Sequence, residues 1–125
     1  MSCRAGFVLF LLALAGCAAK TLTLSGFNSG ESSIMKVGAH FDVALPANPT
    51  TGFHWQLAEA DPGVVVVGEP FFTARGDALG VAGTETFHCI VTGEGQTRIV
   101  LVYRRPWEEG VRPLRVWYLG LEGVR

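Results

Sequence analysis

The stretch HFDVALPANPTTGFHWQL, His40–Leu57, decides the fold. Phe41, Val43 and Leu45 alternate with His40 and Asp42 in its first part. Phe53, Trp55 and Leu57 alternate with His54 and Gln56 in its last. A period of two bounded by turn residues is the signature of a strand with one buried face. Between the two runs lies Asn48-Pro49-Thr50-Thr51-Gly52. Pro49 fixes one φ and biases Asn48 towards an extended backbone. Gly52 admits a φ that other residues resist. Asn48 is suited to an Asx-turn, and Thr50 and Thr51 are stiff at χ1. The segment therefore reads as strand, stiff loop, strand, although a plain turn would use the same residue pairs.

The pattern recurs on both sides. Phe87, Cys89 and Val91 form one alternating series and Ile99, Leu101 and Tyr103 another. In a last series Leu114, Val116 and Tyr118 lie opposite Trp117 and Leu119. Val64–Val67 is a continuous β-branched run, expected to be a strand buried on both faces or at a sheet switch. Lettered in order, strands are expected at 40–46 (B), 53–59 (C), 64–72 (D), 84–92 (E), 96–104 (F) and 114–121 (G). One or two more are expected within 21–37. Seven to eight short strands with frequent turns predict an all-β, immunoglobulin-like β-sandwich with Greek-key topology, with Trp55 in its core. Two further loops then join the group: Gly80-Val81-Ala82-Gly83 between D and E, and Arg105-Pro106-Trp107-Glu108 between F and G. In such a key the BC, DE and FG loops emerge at one end and form one surface.

Trp107 follows a proline and precedes two glutamates. It reads either as a solvent-facing anchor or as a ring folded over the end of the sandwich. The paired glycines of the DE loop would let a backbone pass close to another surface.

The chain has 125 residues, 49% hydrophobic and 17% charged, which suits one ordinary folded domain and argues against disorder. Residues 1–16 read as a secretory signal, with Arg4 ahead of a short apolar core from Phe7 to Gly16. Leu14-Ala15-Gly16-Cys17 resembles the bacterial lipobox. That resemblance implies cleavage before Cys17, its acylation, and a mature domain 17–125. The protein is then expected to be exported and lipid-anchored in the cell envelope, facing the periplasm or the cell surface. Only Cys89 remains as a free thiol, so no internal disulfide is expected. The formal charge of −1 becomes −2 on loss of Arg4, the single charge in the signal, and nothing points to nucleic acid.

No catalytic constellation is expected. His88 and Cys89 are neighbours on a strand and point to opposite faces, so they cannot pair as base and nucleophile. Cys89 lies on the apolar side as a small hydrophobe. His40, His54 and His88 lack metal-ligand spacing, so neither metal nor cofactor is expected. A chain with shaped loops and no nucleophile is expected to bind rather than to catalyse.

Together the three loops resemble those of the chagasin-like inhibitors of cysteine peptidases. That family carries NPTTG followed by an aromatic, a G-x-G-G loop, and R-P-W. Asn48, Pro49, Thr50, Thr51, Gly52 and Phe53 match the first motif, and Arg105, Pro106 and Trp107 the third. The second is matched by Gly80, Gly83 and Thr84, with Val81 at its variable position and Ala82 where the family has glycine. Order and spacing agree across residues 40–121. The resemblance implies a reversible inhibitor of papain-like cysteine peptidases; a monomer is expected separately, because one exposed anchor surface gives no reason for a dimer. It places the BC loop in the active-site cleft, the FG tryptophan on the primed side and the DE loop on the non-primed side, with no covalent bond. At Ala82 a Cβ is expected to weaken the DE contact, through bulk or through a forbidden positive φ. The competing reading is a lipid-anchored, non-inhibitory binding module of the envelope.

Overall fold

The computed structural model describes residues 21–76 and 82–125. Residues 1–16, expected to be a secretory signal, together with Cys17, Gly80 and Val81, lie outside the described residues. Nine strands are present among the described residues. They are β1 (Leu22–Leu24), β2 (Ser32–Lys36), β3 (His40–Ala47), β4 (His54–Glu59) and β5 (Val65–Val67), then β6 (Phe71–Ala74), β7 (Gly83–Val91), β8 (Gly95–Arg104) and β9 (Arg115–Val124). Two 3₁₀ turns, Gly26–Asn28 and Pro49–Thr51, complete the elements.

The strands form two sheets. One has the order β1-β3-β7-β5, with β6 also on β7; the other has the order β2-β9-β8-β4. This is the immunoglobulin-like sandwich with its Greek-key crossovers, as expected. The chain enters with β1 parallel to β3, crosses over at the first 3₁₀ turn, and leaves with β2 parallel to β9. Trp117 Nε1 donates to the Ser25 carbonyl at 3.0 Å and fastens that crossover to the second sheet.

The alternating series supply the core. Phe41, Val43, Leu45, Phe87, Cys89, Val91, Ile99, Leu101, Trp117, Leu119 and Leu121 all point between the sheets and are essentially sealed from water. Burying a large apolar side chain stabilises by about 1.5–3 kcal/mol, so this layer dominates the folding energy. Trp55 is buried as expected, and Trp117 joins it. Leu114, Val116 and Tyr118 take the outer face.

Two expectations are corrected by the D segment. It is two strands, not one, and Val64–Val67 is not buried on both faces, since Val66 is 45% exposed. The reason is positional: β5 lies at the rim of its sheet and has one neighbour, β7. From Val67, opposite Cys89, to Phe71, opposite Thr86, the D side advances four residues while β7 advances three. The extra residue sits at Gly68-Glu69-Pro70, where proline cannot donate to a ladder. The remaining strand limits agree to within a residue or so, except that β9 runs on to Val124.

Candidate functional site: the loop end of the sandwich

The BC loop begins where β3 ends. The Asn48 backbone N–H donates to the Tyr103 hydroxyl at 3.0 Å, so β8 holds the loop at its root. Asn48 Oδ1 then accepts from the Thr50 N–H at 3.2 Å and from the Thr50 hydroxyl at 2.6 Å. That is the expected Asx-turn. Pro49 opens a 3₁₀ turn, and the Thr51 hydroxyl donates back to the Asn48 carbonyl at 2.7 Å. Gly52 closes it with φ 86°, in the left-handed region that favours glycine. The far root is fixed by Trp55, whose indole Nε1 donates to the Pro46 carbonyl at 3.0 Å. Thr50 and Thr51 remain on the exposed tip, each with its hydroxyl committed to the loop itself.

The FG loop is bound to the BC loop. Arg105 Nε donates to the Thr51 carbonyl at 3.1 Å, and its guanidinium lies 4.6 Å from the centre of the Phe53 ring. Glu108 balances this arginine at 3.4 Å, and the Arg104 guanidinium donates to the Glu108 carbonyl. Phe53 also stacks on Tyr103, with ring centres 5.3 Å apart. Phe53 thus touches both Arg105 and Tyr103 and links the BC loop to β8 and the FG loop. Trp107 satisfies both readings of it. It is 67% exposed, yet the edge of its indole rests on Gly52, where an added Cβ would lie 2.6 Å from Cη2.

The described part of the DE loop joins the same end. In the β3–β7 register Gly83 lies opposite Ala47, the residue before Asn48. Ala82, Asn48, Tyr103 and Arg115 line one small hollow. Ala82 is exposed, and its carbonyl accepts from the Arg75 N–H at 3.2 Å, closing the β6–β7 hairpin. No described residue other than glycine has a positive φ, so the backbone half of the objection to Ala82 falls away and only its bulk remains. Gly83 has a packing duty of its own. A Cβ there would meet the Thr73 carbonyl oxygen at 2.2 Å, so this glycine is what lets β6 and β7 approach.

The structure also shows what the titratable groups do. Cys89 is sealed in the core. Burial first, and the nearby negative Asp42 second, push its thiol up from 9.0 to about 12. His88 projects from the outer face, with Nδ1 2.7 Å from Asp42 and Nε2 3.1 Å from His40 Nδ1. A thiol held neutral and turned away from the adjacent imidazole cannot act as a nucleophile. Among the described residues no cluster of three or more His, Cys, Asp or Glu side chains could hold a metal ion.

Sequence reasoning missed two supports of this end, Tyr103 and Glu85. Tyr103 was legible as the last member of an inward series, placed so that its hydroxyl reaches the loop. Glu85 lies in phase with Phe87, Cys89 and Val91, so a charge at an inward position was the signal.

Comparison with known proteins agrees with this construction. The sequence profile of the chagasin family peptidase inhibitors (I42) matches residues 34–119. Chagasin of Trypanosoma cruzi is 33% identical over 85 residues, which cover 64% of this chain and 77% of chagasin. Amoebiasin-1 of Entamoeba histolytica is 33% identical over 89 residues, covering 69% of this chain and 84% of that protein. Among solved structures, the cysteine protease inhibitor EhICP2 of Entamoeba histolytica superposes with a TM-score of 0.74 at 21% identity. It covers 83% of this chain and 96% of its own. The solution structure of Amebosin gives 0.73 at 25% identity, over 85% of this chain and all of that one. The profile match spans well over half of the chain and takes in the BC and FG loops and what is described of the DE loop, so this protein belongs to the chagasin family of peptidase inhibitors.

Proposed function

We propose that this protein is a reversible inhibitor of papain-like cysteine peptidases, which it blocks by filling the active-site cleft with its BC, DE and FG loops. The observation that carries this reading is the locked BC loop. Asn48, Thr50 and Thr51 close it internally, while Tyr103 and Arg105 hold it from outside. Ordering a free chain costs about 1–2 kcal/mol per residue, and a loop already ordered does not meet that cost on docking. Its shape explains why it would obstruct rather than be cut. A 3₁₀ turn ending in a left-handed glycine cannot lie extended along a cleft as a peptide substrate does. Trp107, resting its indole edge on Gly52 and 67% exposed, supplies the apolar anchor beside it. The binding residues are therefore Asn48–Phe53, Gly80–Gly83 and Arg105–Trp107, with Phe53 and Gly83 acting as supports.

We infer that the inhibitor works as a monomer, tethered through an acylated Cys17 after removal of residues 1–16 and exposed at the periplasmic side or the cell surface. The lipobox-like Leu14-Ala15-Gly16-Cys17 supports this reading. Labelled palmitate incorporated by the wild type and not by Cys17→Ala, on expression in a bacterium, tests it.

The function is tested by titrating papain or a cathepsin L-type peptidase with the domain from residue 18 onward. Reversible inhibition at nanomolar to micromolar concentration is expected. A folded domain that inhibits none of several papain-like enzymes would replace this reading with that of a non-inhibitory binding module.

A further inference from the structure

Glu85 is the one buried charged residue among the described residues, 5% exposed in a layer of apolar side chains. It stands on β7, two residues after Gly83, and points inward between the sheets. One carboxylate oxygen accepts from the Trp55 backbone N–H at 2.7 Å; the other lies 3.2 Å from His54 Nδ1. Both partners belong to β4, in the opposite sheet. A carboxyl is costly to bury unless its bonds are made, and here both oxygens have partners.

The location gives the contact its meaning. β4 is the last strand of its sheet, so the backbone groups on its outer side have no strand to pair with. The Trp55 N–H is one such group, and Glu85 takes it. Trp55 is the second residue after Phe53, at the exit of the BC loop. Glu85 is the second after Gly83, at the exit of the DE loop. Arg105 ties the BC loop to the FG loop from above. Glu85 ties the BC root to the DE root from below, across a groove of about 750 Å³ that Pro106 and Phe72 also line.

We propose that Glu85 is a positioning residue for inhibition: its carboxylate sets the distance between the BC and DE loops, so that both enter one peptidase cleft together. This rests on the proposed inhibitory function. A rigid surface that meets its target at separate points binds tightly only when the spacing between them is fixed. Glutamate has the reach for the 2.7 Å bond, and aspartate, one methylene shorter, does not unless β7 and β4 close up. Glutamine keeps an acceptor at the same reach.

The test compares wild type with Glu85→Gln, Glu85→Met and Glu85→Asp. Inhibition constants are measured on papain at a temperature where thermal unfolding shows each domain folded. The amide resonance of Trp55 reports the bond directly. Glu85→Gln is expected to stay within about threefold of wild type and to keep the Trp55 amide shift. Glu85→Met and Glu85→Asp are expected to lose that shift and to raise the inhibition constant about tenfold or more, chiefly through faster dissociation. Folded Met and Asp variants within about twofold of wild type would overturn the proposal. So would a Gln variant as weak as the Asp variant, since an acceptor at the same reach would then not be enough to hold the loops. If Glu85→Met does not fold, the Gln and Asp variants still decide. A wild-type domain that inhibits nothing removes the underlying reading first, and this one with it, before any variant is compared.

Discussion

The contact between Gly52 and Trp107 can be broken by a single methyl group. Gly52→Ala does two things at once. It puts a Cβ on a residue with φ 86°, at a cost of about 1–2 kcal/mol. It also places that Cβ 2.6 Å from Trp107 Cη2 and 3.3 Å from Cζ2, well inside van der Waals contact, so the indole must leave its seat. The two effects separate with Gly38→Ala as a control. Gly38 has φ 97°, but a Cβ there meets nothing within 4 Å and lies in the β2–β3 turn. Both variants should lose about 1–2 kcal/mol of stability, or roughly 5–10 °C in Tm, because Trp107 is exposed and moves away at little cost. They should part company in binding. Gly52→Ala is expected to weaken inhibition of papain about thirtyfold or more, equivalent to about 2 kcal/mol for a displaced anchor. Gly38→Ala should stay within about twofold. Calorimetry gives the first quantity and inhibition kinetics the second. Acrylamide quenching adds a local check, since Trp55 and Trp117 are buried and Trp107 alone is open to the quencher. Equal inhibition constants for the two variants would refute the claim that the indole is held in its binding position by Gly52.

Other outcomes follow from the same geometry. Trp107→Ala should leave Tm nearly unchanged and cost about 2 kcal/mol or more of binding; a loss under about 0.5 kcal/mol would show that the ring is not an anchor. Gly83→Ala should destabilise by about 1–3 kcal/mol, read by urea unfolding, because the atom it meets is the Thr73 backbone oxygen and cannot rotate aside. Ala82→Gly should strengthen inhibition, and an unchanged constant on every susceptible peptidase would show that its Cβ is harmless. In the domain from residue 18, Cys89 should react with a thiol reagent only as fast as the protein unfolds. Because its folded pKa is raised, the sealed thiol favours the native state fully below pH 9, and this contribution is lost as pH climbs from about 9 towards 12. A titration of stability that stays flat across that interval would contradict the burial assigned to the thiol.

Much of the sandwich was readable because period-two alternation is a direct projection of a buried face. His40–Ala47, Gly95–Arg104 and Gly83–Val91 were placed almost to the residue on that ground. The Asx-turn of Asn48 followed from local chemistry, whereas Trp107 was left open between facing solvent and folding back, and only its contact with Gly52 and its exposure resolve that. What escaped depends on neighbours that alternation does not encode. The break at Gly68-Glu69-Pro70 is set by the pairing of both halves with β7, and the exposure of Val66 by its place at the rim. Phe53 and Gly83 carry family motifs, yet the first packs on Tyr103 and Arg105 and the second makes room for Thr73. The inward Glu85 was visible as an anomaly of pattern, but its partners on β4 are thirty residues away in the chain.

The interrupted D segment has a further consequence, for solubility. Unbroken, Val64-Val65-Val66-Val67 running into Phe71 and Phe72 would be a long, flat rim of β-branched and aromatic residues. Its unpaired backbone groups would then form a template on which a second molecule could add a strand. The extra residue at Gly68-Glu69-Pro70 divides that rim into pieces of three and four residues, out of step with each other, with a charge and a proline at the junction. Neither piece is long enough to recruit a partner strand stably. A chain that exposes a tryptophan at one end is thereby less open to strand addition along this rim.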